Sequence, residues 1–157
     1  MINKVFLDID GVLADFRGQC EKLNCISGTK VDWSIVHANG TEFWENIEWI
    51  NESKPFYSWL KKICAEENIE LYILTAVHSI NGKIGRMNWL KSNLGLDKHH
   101  LLIVNFGKEK AYYAEPTSVL IDDYKKNCDQ FIEAGGQAIK FDTPNQAKED
   151  LLKLIGA

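Results

Sequence analysis

Two apolar runs in this chain each end in a pair of aspartates, and no other feature constrains the fold as strongly. The first is Val5-Phe6-Leu7-Asp8-Ile9-Asp10-Gly11, the second Ser118-Val119-Leu120-Ile121-Asp122-Asp123. Side chains alternate along extended backbone, so Asp8 and Asp10 point the same way. Continuous apolar runs fit strands covered on both faces, as in parallel sheets. Burying one carboxylate at such a strand end is costly, and two together cost more unless a cation or a proton compensates. The pattern therefore predicts two strands presenting their acids at one edge of one sheet, around a divalent metal. All-oxygen ligands favour a hard ion, Mg²⁺ first.

The rest of the chain fits that sheet. Strand-like runs fall at 4–9, 69–74, 101–105, 118–121 and 137–141, with helical patterns between them. Pro55 suits a helix N1 position, and Phe56, Trp59, Leu60, Ile63 and Cys64 follow on one face. Ile84, Met87, Leu90 and Leu94 predict a second helix stopped by Gly95. Cys128, Phe131 and Ile132 predict a third, before Gly135-Gly136; Ala147, Leu151, Leu152 and Ile155 predict a last one after Thr143-Pro144. Alternating strands and helices predict an α/β fold, a three-layer Rossmann-like parallel sheet.

One interval breaks the rhythm. About 59 residues separate the first strand from the second, far more than a crossover needs. Residues 17–53 are therefore expected to form a small helical cap, inserted after the first strand into a core of 1–16 and 54–157. Such an insertion emerges at the carboxyl edge of the sheet, where open α/β sheets bind ligands. Four of the five tryptophans lie between positions 33 and 59. Phe16, Phe43 and Trp44 are candidates for a wall facing the substrate, the alternative being the insertion's own small core, which is how Trp33 and Trp49 read.

Other candidates sit near strand ends. Thr75 closes the second strand, and its hydroxyl can hydrogen-bond a bound anion. Lys108 and Lys110 lie between the third and fourth strands; either ammonium can balance the acids and hold a phosphate. Lys83 and Arg86 read as a solvated helix face, with phosphate or sugar contact as the sharper option, which His78 shares. His99-His100 reads as loop. Eighteen basic against twenty-two acidic residues give a net charge of −4, which argues against a duplex-binding surface. The absence of a leader-like start, of a membrane-length apolar run and of a CxxC pair among the four cysteines fits a cytoplasmic protein with reduced thiols.

With Asp8-Ile9-Asp10-Gly11, Thr75, Lys110 and Asp122-Asp123 in that order, the chain resembles the haloacid dehalogenase (HAD) superfamily of phosphotransferases over nearly its whole length. The segments Asp8 to Phe16, Leu74-Thr75, Lys83 to Gly95 and Leu120 to Asp123 resemble the 5'(3')-deoxyribonucleotidases more narrowly. That resemblance implies Mg²⁺-dependent hydrolysis of phosphomonoesters, the expected substrates being nucleoside monophosphates, deoxyribonucleoside 5'- or 3'-monophosphates first. It implies Asp8 as nucleophile, Asp10 as acid and base, and Thr75, the Ala76 amide and Lys110 on the phosphoryl group. It further implies metal held by Asp8, the Asp10 carbonyl, Asp122 and Asp123. Phe43-Trp44 resembles aromatics that line that family's nucleoside pocket. The alternatives are another small phosphoester, a nucleic-acid 3'-phosphate end, or a non-catalytic nucleotide-binding module. The partner expected is a small phosphate ester, with no membrane and no extended nucleic acid.

Overall fold

The computed structural model describes residues 1–95 and 100–157. The chain begins with β1 (Lys4–Leu7), then α1 (Phe16–Lys22), a hairpin of β2 (Ile26–Ser27) and β3 (Lys30–Val31), α2 (Trp33–Ala38), α3 (Glu42–Glu45) and α4 (Ser53–Glu66). It continues through β4 (Glu70–Ala76), α5 (Ile80–Leu94), β5 (Leu101–Val104), a 3₁₀ helix (Gly107–Tyr113), β6 (Ser118–Asp122), α6 (Lys125–Glu133), β7 (Gln137–Lys140) and α7 (Pro144–Ile155).

Five strands form one parallel sheet in the order β5-β4-β1-β6-β7. All five predicted strands are present, within a few residues at their ends. Their apolar character has the expected cause: both faces of the sheet are covered. Val5 and Leu7 of β1 and Val119 and Ile121 of β6 join the core under α4, α5 and α7. The residues between them, Phe6 and Leu120, face the other way, onto Phe131 of α6 and Tyr113 of the 3₁₀ helix. The period of two thus divides each strand between two cores and gives the three layers expected.

β1 lies at the centre, with Leu7 level with Ile73 on one side and Ile121 on the other. The Asp8 amide then donates to the Ile121 carbonyl at 3.0 Å, which sets Asp8 beside Asp122. Beyond it the chain turns tightly, the amides of Val12, Leu13 and Ala14 all donating to the Ile9 carbonyl. Residues 48–50 return alongside this turn: Asp15 donates to Glu48 and Ile50 to Leu13, each at 2.8 Å. Val36, Phe43, Trp44 and Ile47 share the core that covers one face of the sheet.

Three local expectations are corrected. Pro55 is the third residue of α4 rather than its first, because the helix starts at Ser53; its missing N–H still falls in the first turn, where amides have no intrahelical acceptor. On α5, Ile84 and Met87 are nearly half exposed, and the buried face consists of Gly82, Gly85, Arg86, Trp89 and Leu90. The glycines explain it. A Cβ on Gly85 would stand 2.7 Å from the Trp44 Cβ and 2.6 Å from the Thr41 carbonyl, so the small residues admit α3 where bulky ones cannot. Ile132 likewise points outward, while Cys128 and Phe131 carry the packing of α6. Helix ends follow the sequence elsewhere: Gly95 caps α5 in the left-handed conformation, and Thr143 and Gln146 form a capping box on α7. All four cysteines are buried and unbonded to one another.

Candidate active site

Asp8, Asp122 and Asp123 come together at the carboxyl edge of the sheet, each with a carboxylate oxygen within 4.8 Å of the others. Lys110 reaches into this group from the 3₁₀ helix. Its Nζ donates to Asp8 Oδ1 at 2.8 Å and to Asp122 Oδ2 at 2.7 Å, and it is only 2% exposed. An ammonium has three donors, so one remains for a ligand. Lys108 is exposed and lines a separate cleft, which separates the two lysines that the sequence left open.

Asp122 is fully buried and fixed from three sides. Its Oδ1 accepts from the Tyr124 amide at 2.9 Å, and Oδ2 accepts from Asn127 at 3.1 Å as well as from Lys110. Asn127 is a site residue that the sequence reading missed; its signal was a carboxamide one turn into the helix that follows the paired acids. Gly11 is required twice over. Its φ of +80° suits glycine, and a Cβ there would lie 1.9 Å from an Asp123 carboxylate oxygen.

The electrostatics report a shortage of positive charge. Burial, and then the Asp122 carboxylate, push Asp8 well above the ordinary carboxylate range against the pull of Lys110. Shielding within the cleft and the Asp122 charge raise Asp123 to about 6. Burial disfavours the Lys110 ammonium, yet Asp8 and Asp122 outweigh it, and this lysine titrates above its usual value. Three carboxylates against one ammonium leave two negative charges uncompensated, which is what one divalent cation supplies. The donor set, oxygen throughout, fits Mg²⁺.

The Asp10 side chain stands outside this group. It forms an ion pair with Arg86 Nη2 and remains 27% exposed. Arg86 itself is completely buried, contrary to the solvated face expected of it. Thr75 is also fully buried at the tip of β4, and its hydroxyl has no hydrogen-bond partner among the described residues. A buried hydroxyl without a partner is costly, so its position makes sense beside a ligand oxygen.

Asp8, Asp10, Asp123 and Lys110 open into a cleft of about 580 Å³, with Phe16, Trp33 and Ala76 along its walls. Trp33 and Ala76 also line an adjoining, mostly apolar cleft of about 370 Å³, whose other walls include His37, Trp44, His78 and Phe106. The aromatics therefore divide differently from the expectation. Phe43 is 1% exposed and packed edge-on against both Phe16 and Trp44, with no face left for a ligand. Trp33, expected in the core, is 48% exposed at the junction of the two clefts. Trp49 is partly buried against Trp89 and donates to Asn93. Lys83 donates to Asn105 at the rim, His78 stacks on Phe106, and His100 packs on Tyr72; His99 lies outside the described residues.

The fold is that of HAD-family hydrolases. A haloacid dehalogenase-like family hydrolase from Xanthomonas campestris superposes with a TM-score of 0.61 at 10% identity, over 99% of this chain and 94% of that one. A HAD-family enzyme from Bacteroides thetaiotaomicron, crystallised with magnesium and inorganic phosphate, gives 0.54 at 13% identity over 90% and 95%. A HAD-family hydrolase from Deinococcus radiodurans, with bound phosphate and sodium, gives 0.54 at 11% identity over 94% and 87%. No protein-family model and no curated protein sequence matches the chain. Among the described residues no helix is long and apolar enough to cross a membrane.

Proposed function

We propose that the chain is a Mg²⁺-dependent phosphomonoester hydrolase acting on nucleoside monophosphates, deoxyribonucleoside 5'- or 3'-monophosphates first. The observation that carries the reading is Lys110, buried between Asp8 and Asp122 with Asp123 beside them. Lys110 offsets part of the negative charge gathered there and leaves room for a cation and a phosphate, which would complete the compensation that an ionised Asp8 needs. Relatives in fold crystallised with magnesium and phosphate support the class of reaction.

Asp8, Asp122 and Asp123 would hold Mg²⁺ with the Asp10 carbonyl; the ion supplies positive charge against the phosphoryl oxygens. Asp8 forms a bond to phosphorus while the ester oxygen leaves, and the Asp10 carboxyl gives that oxygen its proton. Water then attacks phosphorus, the bond to Asp8 breaks, and the Asp10 carboxylate takes the water's proton. The free donor of Lys110, the Thr75 hydroxyl and the Ala76 amide bind the phosphoryl oxygens. The leaving nucleoside lies in the apolar cleft against Trp33 and Trp44, since stacking on rings tolerates any base. Residues 17–53 act as the cap that closes this cleft.

One observation favours a second substrate, a nucleic-acid 3'-phosphate end. A cleft of about 330 Å³ holds Lys108 and Lys126 and shares Tyr124 and Asn127 with the acidic cleft. A phosphatase screen of nucleoside monophosphates, sugar phosphates and a 3'-phosphorylated oligonucleotide, each with Mg²⁺ and with EDTA, decides. The proposal expects Mg²⁺-dependent release of phosphate from the nucleoside monophosphates, lost in Asp8→Asn. Flat kinetics with every ester, or an Asp8→Asn protein retaining more than a few percent of the activity, would overturn it.

A further inference from the structure

Arg86 is a cation that the chemistry above does not use. It is fully buried, and among the described residues its charged partner is Asp10, bonded from Nη2 to Oδ1. Among the described residues its Nε and Nη1 have no hydrogen-bond partner. A guanidinium placed this way is expensive, and an apolar side chain of similar volume would fill the space at lower cost. The stability of α5 therefore does not account for it, whereas its effect on Asp10 does.

Arg86 is also braced from the side. Its guanidinium carbon lies 5.3 Å from the centre of the Trp44 ring and 5.8 Å from that of Trp89. Trp44 reaches that position only because Gly82 and Gly85 leave room on α5. The same Trp44 lines the apolar cleft. One buried strut thus connects the wall of that cleft to a single oxygen of Asp10.

We infer that Arg86 is a positioning residue: it anchors Asp10 Oδ1 so that Oδ2 is the oxygen left to carry the proton to and from the substrate. This inference rests on the phosphatase reading above. Asp10 needs a fixed rotamer in both half-reactions, because each proton transfer requires hydrogen-bond reach to a different oxygen on phosphorus. Without Arg86 the carboxylate is free to rotate into the open cleft, while Asp8, Lys110 and the metal ligands stay in place. Loss of Arg86 should then slow the first half-reaction only for those esters whose leaving group needs a proton.

The test compares wild type, Arg86→Met and Arg86→Lys on two esters with saturating Mg²⁺. p-Nitrophenyl phosphate releases a phenolate that leaves unprotonated; a deoxyribonucleoside monophosphate releases an alkoxide that must be protonated. For both, kcat/KM reports the first half-reaction alone. Arg86→Met is expected to lose about 100-fold in kcat/KM on the nucleotide and less than about fivefold on the aryl ester. It should also keep a rapid burst of nitrophenolate before a slowed steady state, because the second half-reaction still needs Asp10 as base. Arg86→Lys should show the same leaving-group dependence at smaller amplitude, and it carries the test if the methionine variant fails to fold. Equal losses of kcat/KM on the two esters, or no loss on either, would overturn the inference. A wild-type protein without Mg²⁺-dependent turnover of either ester would instead overturn the phosphatase reading on which it rests.

Discussion

The carboxyl edge of the sheet and the aromatic segment at 33–49 are both dense in residues that bear on function, and they differ in how their side chains are fixed. At the sheet edge, strand register does the placing: Leu7 is level with Ile121, so Asp8 must fall beside Asp122. Each charged group is then held by another, as Lys110 is by two carboxylates and Asp122 by the Tyr124 amide and Asn127. In the aromatic segment the backbone elements are short and the rings are fixed by one another. There Phe43 is enclosed while Trp33, ten residues earlier, stands half open. Charged groups at strand ends have few acceptable arrangements. Rings in a small insertion have many, and only their packing chooses among them.

The largest effect that sharpens this contrast is expected at the sheet edge. Lys110→Met removes the ammonium from between two buried carboxylates. It should cost about 3–5 kcal/mol of stability in metal-free protein, and about 10²–10³-fold in kcat even at saturating Mg²⁺. Chemical denaturation and steady-state kinetics check the two figures. A variant as stable and as active as wild type would remove Lys110 from the site.

The aromatic segment should separate into two behaviours. Phe43→Ala should cost about 3–5 kcal/mol of stability, as a fully buried ring does, with KM nearly unchanged where the protein remains folded. Trp33→Ala should leave the melting temperature within a few degrees and weaken nucleotide binding by about 1–3 kcal/mol. If both variants lose stability and neither changes KM, the segment is packing throughout, and the leaving group is seated elsewhere.

The smallest effect is one of pH. Asp8 and Asp123 hold protons more tightly in the folded chain than in the unfolded one, Asp123 up to about 6. The folded state therefore binds more protons between the ordinary carboxylate range and about 6, so metal-free stability should rise as pH falls through about 6 and level off once the unfolded chain's carboxyls are protonated too. Mg²⁺ favours the ionised carboxylates, so its affinity should weaken over the same fall, and saturating Mg²⁺ should flatten or invert the slope. Thermal melts across this range with EDTA and with Mg²⁺ make the comparison. Identical slopes in both conditions would mean that no cation binds at these carboxylates.

Much of the sheet and of the acidic cluster was legible in the sequence, because apolar runs, their spacing and the unfavourable burial of paired acids leave little choice. Asp8, Asp10, Thr75, Asp122 and Asp123 could be named from such reasoning, and Lys110 only as one of a pair with Lys108. Arg86 could not, because a charged residue on a helix with Ile84 and Met87 reads as the solvated side. A different pattern was nevertheless present. Gly82, Gly85, Arg86, Trp89 and Leu90 recur at +3, +4, +7 and +8, and that face is the one α3 packs against. Two glycines at helical spacing mark a close approach as clearly as leucines mark a core, once glycine is counted as a packing residue. The orientation of Trp33 had no comparable signal, since it depends on which rings in the segment fill the interior first.

The central claim is that Asp8 carries the phosphoryl group. Rapid acid quench of the protein turning over a deoxyribonucleoside monophosphate, followed by borohydride reduction and peptide mass spectrometry, tests it most directly. The account predicts a Mg²⁺-dependent acyl phosphate on Asp8, present in wild type and absent from Asp8→Asn. Turnover with no trapped phosphoenzyme, or with the label on another residue, would contradict it.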